Sequence, residues 1–110
     1  MDLATLQRLA DDFRGVTPAE FPDLADACRD LAVNHLDVRF MVLGECFRLS
    51  ESFWGPGDGI AVPAGVASDV YRLWGDYLPG VLQSVSEEEA TALALALKEE
   101  LSLLAANFAG

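Results

Sequence analysis

The chain has 110 residues, 52% of them hydrophobic, which is the size of one domain with enough apolar mass to close a core without disulfide or metal staples. Eighteen acidic residues against seven basic ones leave a net charge of -11. That balance excludes a phosphate-backbone binder, whose affinity rests on Lys and Arg, and sets the chain against anionic membrane surfaces; a basic partner is the electrostatic expectation.

The chain opens Met1-Asp2-Leu3 and passes directly into an amphipathic pattern, without the basic and apolar stretches of a signal peptide or an apolar run of membrane-spanning length. A cytoplasmic location is the expectation. Leu3, Leu6, Leu9, Ala10 and Phe13 recur at helical spacing and Gly15 stops the pattern, predicting a first helix over residues 3–14. Thr17-Pro18-Ala19-Glu20 reads as a capping box with proline at the first helical position. A second helix follows, with Leu24, Ala27, Cys28, Leu31 and His35 on one face. Asp23, Asp26 and Asp30 form an acidic seam along another face, and Asp37 extends the same spacing beyond the helix.

Asp37 is also a suitable cap for a third helix over 38–53. Val38, Val42, Cys46, Leu49 and Phe53 stand beside Phe40, Leu43 and Phe47, which predicts a central helix packed on several sides. Glycine and proline then dominate a long loop over 54–65. This loop raises the question of a phosphate cradle. Gly55-Pro56-Gly57-Asp58-Gly59-Ile60 lacks the third glycine of GxGxxG, no strand precedes it, and the nearest downstream base is Arg72, so neither phosphate template fits.

A fourth helix is predicted from near Ser68, with Val70, Leu73, Trp74 and Tyr77 inward and Asp69, Arg72 and Asp76 outward; Pro79 is expected to kink or end it. Ser86-Glu87-Glu88-Glu89 combines an N-cap serine, a capping-box glutamate and negative charge at the positive end of a helix dipole. Ala90, Leu93, Leu97, Leu101, Leu104 and Phe108 carry that last, long helix to the C-terminus. Leu95 and Leu103 lie off this stripe, so a covering partner is expected there, either the first helix or a second subunit, with a homodimer favoured. The fold class is therefore all-α: one domain over 1–110, a compact bundle of about five helices.

Chemistry-bearing residues are few. Cys28 and Cys46 fall among apolar neighbours and read as free buried thiols, and no spacing suggests a zinc site or another cofactor. His35 is the only histidine, and its seven-residue offset from Cys28 separates the two by about 10 Å along a helix, too far for a dyad. The leading expectation is a non-enzymatic, acidic interaction module of the inhibitor, immunity, adaptor or assembly-subunit kind. It would bind a basic protein through Asp23, Asp26, Asp30 and Asp37. The alternative is a small-molecule or sensor domain with an aromatic pocket of Trp54, Tyr71, Trp74 and Tyr77 beneath the 54–65 loop.

Overall fold

The computed structural model describes residues 3–53 and 64–109. Helix α1 covers Leu3–Asp11, α2 Phe21–His35, α3 Val38–Ser52, α4 Ala64–Gln83 and α5 Glu87–Ala109, with short 3-10 turns at Phe13–Gly15 and Pro18–Glu20. The first helix stops three residues earlier than its periodicity predicts. Asp12 leaves helical geometry (φ -146, ψ 76), and the turn that follows carries the Phe13 ring into the core. At Thr17, half of the capping box forms: the Thr17 N–H donates to Glu20 Oε2 at 2.7 Å. Residues 18–20 close as a 3-10 turn, and α2 begins at Phe21 with Pro22 in its first turn, where a missing N–H costs nothing.

Two expectations for α4 change. Residues 54–63 of the predicted loop lie outside the described residues, but Ala64 and Gly65 already belong to the helix, which starts four residues before Ser68. Glycine in a first turn is a weaker stop than its composition suggests. Pro79 does not end α4 either, because the helix runs on to Gln83. The carbonyl deprived of its donor is that of Gly75, an exposed residue, where water can replace the lost bond.

Helices α2 and α3 form an antiparallel pair around the corner Leu36-Asp37. A Cβ on Gly44 would sit 3.2 Å from the Ala25 carbonyl oxygen and 3.5 Å from the Cys28 Cβ, so glycine is what allows this pair its close approach. Helix α3 runs alongside α5 in the same direction: Val38 meets Glu87, and Glu45 meets Lys98. Helix α4 returns antiparallel to both, with α1 packed on it. At 23 residues, or about 34 Å at 1.5 Å per residue, α5 runs almost the whole 37 Å long axis.

The core is continuous. Leu6, Phe21, Cys28, Leu43, Cys46, Phe47, Val70, Trp74, Leu78, Leu97 and Leu101 are fully buried. Helix α3 is less enclosed than its composition predicts: Phe40, Val42, Leu43, Cys46 and Phe47 are buried, while Val38 and Met41 face solvent. Helix α3 packs against α2 and α5 and, through Arg39, Phe47 and Ser50, against α4 as well.

Candidate functional site

Asp23, Asp26 and Asp30 are all exposed on one side of α2, as their spacing predicts. Asp26 is engaged, accepting from Arg48 of α3 at 3.0 Å. Asp37 stands apart from this seam. Its Oδ1 accepts the Arg39 N–H at 3.0 Å and so caps α3, while Oδ2 lies 2.9 Å from Arg39 Nε as an ion pair without a directed hydrogen bond. Arg39 in turn donates from Nη1 to the Val81 carbonyl at 3.1 Å. Asp37 therefore helps latch the α2–α3 corner onto α4.

The four aromatic residues proposed to line a pocket separate in the structure. Trp54 lies outside the described residues. Trp74 is fully buried; its ring stacks 4.1 Å from Phe47 and 5.1 Å from Phe13. Its Nε1–H donates to Ser50 Oγ at 2.8 Å, and that hydroxyl donates to the Cys46 carbonyl at 2.8 Å. Ser50 thus satisfies a polar group that would otherwise be stranded in the core. Tyr77 is half-buried. Tyr71 alone lines a cleft, of about 580 Å³, between the end of α1 and α4, together with Phe13, Asp11, Asp12, Arg72 and Asp76. Its hydroxyl donates to the Val16 carbonyl at 2.6 Å, and burial, then the nearby Glu20 charge, push its pKa up.

Nucleophile chemistry finds little support in these positions. Cys28 and Cys46 are free and buried, and desolvation pushes both thiols up to about 12, so neither is a thiolate near neutrality. His35, expected on the inward stripe of α2, is exposed at its C-terminus with its ring 6.2 Å from Phe40. Among the described residues no group of three or more His, Cys, Asp or Glu side chains could hold a metal ion. No helix there is long and apolar enough to cross a membrane.

The last helix presents Leu95 and Leu103 outward, 49% and 55% exposed. Helix α1 packs on α4 and leaves them uncovered. Sequence reasoning missed what surrounds Leu95. Because α3 and α5 run parallel, Val38 comes beside Ser86, Glu87, Glu88, Thr91, Ala92 and Leu95 around an open hollow of about 660 Å³. The Val38 N–H donates to Glu87 Oε1 at 3.3 Å across it. A second hollow of about 440 Å³ continues along the two helices past Leu49 and Ser52 to Ser102. Between them the Lys98 ammonium meets Glu45 Oε2 at 2.6 Å, an exposed bridge whose hydrogen bond and charge raise the lysine pKa. No pattern within either helix signals this groove, since it depends on their relative direction.

Compared with models of protein families, with curated proteins and with solved structures, the chain matches none.

Proposed function

We propose that this chain is a non-enzymatic protein-interaction module that binds a basic protein partner, as an inhibitor, immunity-type protein, adaptor or assembly subunit does. The observation that carries this reading is the uncompensated acid on its surface. Among the described residues the ion pairs are those of Asp26, Asp37, Glu45 and Asp69, while Asp23, Asp30, Glu87, Glu88 and Glu89 stand exposed without a cation within 4 Å. A field of that sign favours encounter with a positive surface and repels anionic ones.

Such binding weakens with salt, because exposed charges are screened beyond about 8 Å at physiological ionic strength. The test is capture of partners from source lysate at low salt and at several-fold higher salt. Retention of a basic protein at low salt and its release at high salt supports the reading. Equal retention at both overturns it.

The cleft beside Tyr71 favours a second reading, a small-molecule site, because carboxylates of Asp11, Asp12 and Asp76 there adjoin an aromatic wall. A thermal-shift screen with organic amines tests it. A melting temperature unmoved by every compound removes this reading and leaves the first intact.

A further inference from the structure

We propose that the groove between α3 and α5 docks a basic amphipathic helix of the partner protein, with Leu36, Val38 and Leu95 as apolar contacts and Glu87 and Glu88 as an acidic rim. This rests on the interaction-module reading and assigns it a surface other than the acidic seam of α2.

Three observations converge on the groove. Its upper hollow has an apolar wall in Val38, Ala92 and Leu95, and Met41 follows Val38 one turn further along α3, also exposed. Two residues before Val38 comes Leu36, 86% exposed and in left-handed geometry (φ 52), the one such non-glycine residue among those described. Glycine or asparagine normally ends a helix in that conformation. A leucine there bears both backbone strain and solvent exposure, and contact with a partner relieves the second. Val85, fully exposed, adjoins Ser86 at the same end. The exposed apolar surface is thus concentrated where α2 turns into α3 and α4 turns into α5.

Charge decides the occupant. The carboxylates of Glu87 and Glu88 flank the hollow, and the whole chain carries -11. A second copy carries the same -11, so net charge opposes its approach to this patch. A helix with a leucine face flanked by lysine or arginine meets both features at once. From Glu87 to Leu95 the upper hollow runs about 12 Å at 1.5 Å per residue, room for two turns, and the Glu45–Lys98 bridge marks its lower limit.

The test uses a synthetic 18-residue helical peptide with leucines at i, i+3, i+4 and i+7 spacing flanked by lysines, a twin with glutamate for lysine, and a scrambled twin. Binding is followed by fluorescence anisotropy, and amide shifts of the full chain map the contact. The expected result is binding of the lysine peptide alone, with shifts at Leu36, Val38, Met41 and residues 86–95. The Val38→Ser/Leu95→Ser variant should weaken binding roughly tenfold or more, since two apolar contacts are lost. Leu36→Gly should weaken it while raising the melting temperature, a pairing that mere structural damage would not give.

Shifts confined to α2, with loss of binding in Asp23→Asn/Asp26→Asn/Asp30→Asn, overturn the groove and leave the module reading standing. Equal binding of the lysine and glutamate peptides, or no binding of either, overturns the proposal. A chain that is dimeric alone and becomes monomeric in Leu95→Ser shows that a second copy is the occupant, and overturns it as well.

Discussion

The two ends of this bundle treat apolar side chains in opposite ways. Near the end of α3 and the start of α4, each ring of Phe13, Phe21, Phe47, Tyr71 and Trp74 lies 4.1 to 6.4 Å from at least two of the others, and the indole N–H is answered by Ser50. Near the start of α3 and the end of α4, Leu36, Val38, Met41 and Val85 face water. The same two helices contribute to both ends, so composition does not separate them. What differs is cover: the turn that swings Phe13 inward lies over the first end, whereas at the second Leu36, Val38, Met41 and Val85 stay outside a packed interior of Phe40, Leu78 and Val81. Stability resides at the closed end, and surface available for recognition at the open one.

Alkaline pH should have the largest effect, on the core midway between the two ends. Burial raises both thiols from 9.0 to about 12, so the native state holds protons that the unfolded chain releases. Their contribution is complete below pH 9 and is lost as pH rises from about 9 to about 12, on the order of 4 kcal/mol per thiol. Urea titrations across that range should show falling stability, and Cys28→Ala/Cys46→Ala should flatten the pH dependence. At neutral pH both thiols should resist an aromatic disulfide reagent until denaturant is added.

Trp74→Ala should cost about 3–5 kcal/mol in chemical denaturation, the loss typical of a large aromatic removed from a packed core. Ser50→Ala is a finer probe of the same place, because it strands the indole N–H without removing bulk. It should cost about 1–3 kcal/mol, and Ser50→Thr should recover part of that if the hydroxyl keeps its position.

At the open end the sign should reverse. Leu36→Gly relieves left-handed strain at an exposed residue and should stabilise by about 1 kcal/mol. Leu95→Ser, and at the other end Leu103→Ser, should change stability least, within about 0.5 kcal/mol, as surface substitutions do. A loss above about 1.5 kcal/mol from either would place that leucine in a packed contact.

Local signals were read correctly wherever the physics was local. Asp37 caps α3 through the Arg39 N–H, and Ser86 receives the Glu89 N–H at 3.4 Å, because both bonds span two or three residues. The burial of Cys28 and Cys46 follows from their place on apolar stripes. Local period misleads where distant elements intervene. The spacing carries Phe13 on a continuous first helix, yet it lies in a separate turn whose ring enters the core. Of the two outcomes expected at Pro79, a kink or an end, the end does not occur, because α4 carries through to Gln83. The bond from Trp74 to Ser50 joins residues 24 apart on different helices, and neither position announces the other.

An all-α chain, the caps that start α3 and α5, the buried thiols and the acidic surface are legible from residue order alone, since each depends on side-chain period or charge within a few residues. Which apolar residues remain outside depends on how the helices meet. Val38 and Phe40 are both apolar and two positions apart on α3, but one faces solvent and the other the core. Two positions on a helix turn through about 200°, so one of the pair must face away from the core; that it is Val38 follows from where α2, α4 and α5 pack, through contacts forty to fifty residues apart such as Arg39 to Val81 and Glu45 to Lys98.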